Sequence, residues 1–125
     1  MSNHKQYEAY DKAIILWNAV AKIAELCHFT RKELEIILGF SAAKLSRFYQ
    51  AGGRIDPYSK EGEIALLLIR MYRSLLANVG DDEAAARAWL DHQNDYFNGL
   101  PREHIHKISG LYEVVAYLDA MRGKL

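Results

Sequence analysis

Six consecutive apolar residues, Ile64-Ala65-Leu66-Leu67-Leu68-Ile69, constrain this chain more than any other feature. Ser59 is a good N-cap before them, and Glu61 and Glu63 stand where the positive end of a helix dipole favours acids. The run therefore reads as the middle of a helix extending to about Asn78. A helix that is apolar all round is buried all round. The expectation is a central helix, covered from both sides, that fastens the two halves of the chain together.

What precedes and follows it is also helical. Tyr10, Ala13, Ile14, Trp17, Val20, Ala21 and Ala24 recur at helical spacing. They predict a long amphipathic helix over Tyr7–Cys27, and Ile15, Leu16, Ile23 and Leu26 lie off its main stripe, so it meets more than one neighbour. Thr30 followed by Glu33 is a capping box. The helix it opens has Leu34, Ile37 and Leu38 as its inner face and stops at Gly39. Phe40 anchors the turn, Ser41 caps a second short helix over Ala42–Gln50, and Leu45 and Phe48 point inward. Gly80-Asp81-Asp82 breaks the chain again before an alanine-rich helix ending at Trp89-Leu90. Pro101 suits the first turn of a short helix. In the last helix Leu111, Val114, Val115 and Leu118 face the core, with Tyr112 and Tyr117 to either side. The fold class is all-α. With 125 residues, the chain is long enough for one domain or two small halves sharing a core.

Net charge is zero, yet the charge is unevenly placed. Residues 31–60 hold six basic side chains against three acidic ones, and residues 61–125 hold seven against ten. A local basic excess suffices to track phosphates. The lone Cys27 lies in an apolar helical stretch and excludes an internal disulfide or a multi-thiolate zinc site. The N-terminal MSNHKQYE has no apolar signal region, and no run reaches membrane-spanning length, so the expected location is cytoplasmic. An enzymatic role finds little support. His104 and His106 diverge on a helix, Cys27 has no evident base, and no glycine-rich phosphate loop precedes a helix. No metal site or cofactor is expected.

The segment Thr30–Gln50, with Leu34 and Leu38 before Gly39 and Phe40, Leu45 and Phe48 after it, resembles an Xre or phage-repressor helix-turn-helix. Its second helix would enter the major groove of DNA. That resemblance assigns Ala42, Ala43, Lys44, Ser46, Arg47 and Gln50 to base edges or phosphates, and Thr30, Ser41 and Arg54 to the backbone. Four positions before the turn glycine a small residue is usual. Here it is Glu35, which implies looser helix packing and weaker DNA affinity.

The C-terminal stretch AARAWLDHQNDYFNGLPREHIHKISGLYEVVAYLDAMRG resembles the toxin-binding domain of the Xre/MbcA/ParS antitoxins. An alanine-rich helix ends in Trp-Leu, Asn94 follows, a Gly-x-Pro step leads to Pro101, and Gly110-Leu111 opens the last helix. Leu118 and Gly123 are further marks. The resemblance implies an N-terminal reader domain (1–58), a connecting helix (59–80) and a toxin-binding domain (81–125). It also implies an antitoxin that sterically inhibits a cognate toxin, usually a NAD-consuming RES-domain enzyme, and that represses its own operator DNA as a homodimer. Tyr112, Tyr117, Arg122, Gly123, Lys124 and Leu125 are the expected toxin contacts. Two rivals remain at this stage, a free-standing DNA-binding repressor and a helical adaptor without DNA binding.

Overall fold

The computed structural model describes residues 3–122, with side chains over 11–122. Among them are seven helices and no strand: α1 (Asn3–Leu26), α2 (Arg31–Leu38), α3 (Ala42–Ala51), α4 (Lys60–Asn78), α5 (Glu83–Leu90), α6 (Pro101–His104) and α7 (Ile108–Arg122). No helix among the described residues is long and apolar enough to cross a membrane.

Local chemistry sets most of these boundaries. Thr30 Oγ1 accepts from the Glu33 N–H at 3.0 Å while Glu33 Oε1 accepts from the Thr30 N–H at 3.1 Å, closing the capping box. Ser41, Ser59 and Asp82 each accept a bond from the backbone of their own first turn, satisfying donors a helix start leaves orphaned. Gly39 takes φ 72°, the left-handed conformation that lets α2 stop and α3 begin three residues later. The Glu35 carbonyl accepts from the Phe40 N–H across this turn at 3.0 Å. Glu35 itself is half-buried, so its carboxylate does not prevent the turn from closing.

One core runs the length of the chain. α4 lies at its centre, with Ala65, Leu68, Met71 and Leu75 fully enclosed. Trp17, Val20 and Ala24 of α1 close one side, and Leu111, Val114, Val115 and Leu118 of α7 close another. Trp17 holds α3 onto α1 through edge-on contacts with Phe48 and Tyr49, each 5.1 Å between ring centroids. Cys27, Leu34, Leu90 and Ile105 join the same cluster.

The central helix is less enclosed than its composition predicts. Leu66 is 48% exposed. Six successive apolar residues point in every direction around a helix, but α1 and α7 cover only two sides of α4, and Leu66 faces the open third. Ile15 on α1 is likewise 64% exposed.

Candidate functional site

The last helix has two unlike faces. Its inner stripe is buried, as the i, i+3, i+4, i+7 spacing of Leu111, Val114, Val115 and Leu118 predicts. Its outer side carries Ile108 at 56% exposure and Tyr112 at 64%, with exposed Ala116 and Ala120 continuing the same i+4 row. An exposed row of apolar side chains with no charged residue in it is the kind of surface a partner covers. Arg122, at the end of α7, is exposed. Gly123, Lys124 and Leu125 lie outside the described residues.

Tyr117 stands elsewhere. It is half-buried on the flank of α7 and belongs to an aromatic group with Trp89, Tyr96 and Phe97. Tyr96 is 70% exposed and tilts over Tyr117 at 4.6 Å, while Phe97 is buried beneath both. Tyr112 and Tyr117 therefore do not share one patch. Sequence reasoning missed Tyr96 and Ile108. The first sits in an irregular segment without periodicity, and the second precedes the glycine that marks the start of the last helix.

The marks that distinguish this stretch in the sequence serve its architecture. Asn94 pairs with Gly99 through two backbone hydrogen bonds, at 2.9 and 3.3 Å, and its side chain accepts from the Tyr96 N–H at 2.9 Å. A tight loop results, and it carries Tyr96 to the surface. Pro101 occupies the first turn of α6. A Cβ on Gly110 would overlap the His104 carbonyl oxygen, so only glycine lets α7 start so close to α6. Trp89 is half-buried against Phe97 and Tyr117.

A polar joint, invisible in the sequence, seats this region on the N-terminal half. Arg102 binds both oxygens of Asp91, donates to the Cys27 carbonyl at 2.7 Å and lies 3.5 Å from Glu33. The Glu33 carboxylate also meets His106 at 3.3 Å, and Arg87 donates to the Leu26 carbonyl at 3.2 Å. These cations meet the carbonyl end of α1, where the helix dipole is negative. Burial alone would raise the Glu33 carboxyl. The Thr30 N–H, His106 and the Arg102 charge outweigh it and hold the group below its ordinary range. Burial opposes the Arg102 charge, but Asp91 and Glu33 prevail and raise its pKa. Cys27, at the centre, has its thiol pushed up to about 12 by burial. It stays protonated and is no nucleophile. The two histidines turn apart, His104 to Glu113 at 2.6 Å and His106 to Glu33.

The outer side of α3 shows Ala42, Ala43, Arg47 and Gln50 to solvent, with Ser46 half-buried. Ser41 and Arg54 are exposed, and so is Thr30, which stands beside the joint as the cap of Glu33. Lys44 turns away, binding both oxygens of Glu61 on α4 at 2.9 and 2.8 Å and lying 4.3 Å from the Phe40 ring centre. Arg31, at the start of α2, lies 3.9 Å over the ring of Tyr49.

No curated protein matches the chain. The family model described as the antitoxin Xre/MbcA/ParS C-terminal toxin-binding domain does, over residues 74–124. That span covers the end of α4 and all of α5, α6 and α7, and so takes in the aromatic group, the C-terminal side of the Arg102 joint and the open row of α7. The chain thus carries the C-terminal toxin-binding domain of the Xre/MbcA/ParS antitoxins.

Proposed function

We propose that this protein is the antitoxin of a type II toxin–antitoxin pair, and that its C-terminal domain, residues 81–125, docks on the cognate toxin and blocks it sterically. The domain match over residues 74–124 carries this reading. The toxin is a RES-domain enzyme that consumes NAD, the partner most often implied by the resemblance. Tyr112, Tyr117 and Arg122 contact it, and Gly123, Lys124 and Leu125 reach toward its cleft. The exposed Ile108 and Tyr112 support this assignment, since an apolar row on the outer side of a well-packed helix has no structural use within the chain. The helices of residues 1–58 read operator DNA through Arg47 and Gln50 of α3, residues 59–80 connect the two ends, and the protein represses its own operon as a cytoplasmic homodimer.

Coexpression with the neighbouring gene tests the central claim. The expected result is a copurifying toxin whose growth arrest this protein relieves, and a neighbour that neither binds nor harms the cell would refute it. Removal of Gly123 to Leu125 should weaken neutralisation and leave DNA binding unchanged. Full protection by the shortened protein would sink the steric plug.

One observation favours a second reading. The Lys44–Glu61 pair withdraws a cation from the α3 face, as expected of a helical adaptor that does not bind DNA. A salt-dependent shift of its own promoter, lost in Arg47→Ala, dismisses that reading.

A further inference from the structure

The outward ridge of α4 consists of Glu63, Leu66, Arg70 and Arg73, all exposed and spaced to share one side of a helix. Beside it runs an open apolar groove of about 330 Å³, floored by Leu16, Ala19 and Ile69 and flanked by the exposed Ile15 and Leu66. Arg70 is engaged by Asp119 at 2.7 Å. Glu63 and Arg73 have no ion-pair partner among the described residues.

The charges along this face are ordered. The Ile55 N–H, just before α4, donates to the Ala13 carbonyl in the first half of α1, and Arg87 on α5, shortly after the end of α4, donates to the Leu26 carbonyl at the end of α1. The two helices therefore run in the same direction. On α4 the order is acid, apolar, base: Glu63, Leu66, Arg73. On α1 the exposed Asp11, Ile15 and Lys22 follow the same order, although Lys12 beside Asp11 is also exposed and lines the groove, and Lys22 already pairs with Glu25 at 3.7 Å. The order of acid and base is therefore carried by α4, with Glu63 toward one end of the face and Arg73 toward the other.

Such a pattern complements itself when turned end to end. About a two-fold axis at the level of Leu68, Glu63 and Arg73 are equally distant in sequence, and so are Leu66 and Arg70. In an antiparallel pair each Glu63 meets the other copy's Arg73, and each Leu66 meets the aliphatic stem of the other copy's Arg70. We infer that this α1–α4 face is where two copies of the chain pair, antiparallel, with Ile15 and Leu66 covered and two Glu63–Arg73 pairs fixing the register. The inference rests on the homodimer reading above and assigns it a surface.

Charge reversal tests both orientation and occupant. Molar mass is measured by light scattering during gel filtration for the full chain, for Glu63→Arg, for Arg73→Glu and for an equimolar mixture of the two variants. Circular dichroism checks that helix content is unchanged. Each reversal alone brings like charges together twice and should weaken the dimer on the order of tenfold or more. The mixture should pair again, because every contact then joins opposite charges. An unmodified chain that stays monomeric overturns both the homodimer reading and this face. A dimer that survives the single reversals overturns the face alone, and variants that do not recover on mixing overturn the antiparallel register.

Discussion

Two surfaces of the toxin-binding segment, a few residues apart in sequence, are built in opposite ways. Where α6 meets the α1–α2 corner, the side chains are charged and half-buried: Arg102 and His106 both meet Glu33, and Arg102 donates to the Cys27 carbonyl just past α1. On the outer side of α7 the side chains are apolar and open, with Ile108 and Tyr112 more than half exposed. Ordinary surface logic would place the charges outside and the tyrosine inside. A buried polar group and an exposed large apolar one are the informative departures. Here the first holds the segment to its own chain, and the second has no partner within the described residues.

That contrast can be broken or sharpened by substitution. Arg102→Ala should have the largest effect, a loss of about 3 kcal/mol of stability read from the urea midpoint, because it removes the donor to the Cys27 carbonyl and to both Asp91 oxygens and leaves Glu33 without its nearest guanidinium. Arg102→Lys should recover only part of it, lacking the planar fork. If Arg102→Ala unfolds at the unmodified midpoint, the charged side contributes nothing to holding the halves together. Tyr112→Ala should leave the midpoint unchanged and weaken toxin binding by about 2 kcal/mol, roughly thirtyfold, measured by titration calorimetry. The reverse outcome, a less stable protein with unchanged toxin affinity, would exchange the roles of the two surfaces.

A smaller effect is expected at α3. Arg47→Ala should cost about 1 kcal/mol in operator affinity, whereas Lys44→Ala, already held by Glu61, should change it by less than about 0.5 kcal/mol. The least effect concerns acid. The depressed Glu33 carboxyl contributes stability that is fully present above its ordinary value of 4.5 and is lost as pH falls through its lower folded value. Glu33→Gln should therefore flatten the stability profile below pH 4.5 while changing its shape little at neutral pH.

How much of this was legible beforehand depended on distance along the chain. Thr30 with Glu33, Ser41, Ser59 and Asp82 act within their own first turns, so a linear reading finds them. The inner stripe of α7 was equally plain, since helical geometry alone fixes it. Arg102 was not, because its partners Cys27 and Glu33 lie 75 and some 70 positions away and no local pattern foretells such a meeting. Leu66 misled for the opposite reason: its neighbours are all apolar, and the sequence does not count the helices available to cover them. Lys44 looked like a surface cation, and Glu61, seventeen residues on, claimed it.

The position of α7 bears on how the protein is made. It is synthesised after all the other described helices, yet it supplies one whole wall of the core around α4. Until its Leu111, Val114, Val115 and Leu118 arrive, the chain leaving the ribosome holds an uncovered apolar helix, a form that chaperones and proteases recognise. The outer row of α7 comes into being in the same step that closes that wall. Molecules cut short before α7 would therefore lack both this apolar outer row and the packing that protects the core from degradation.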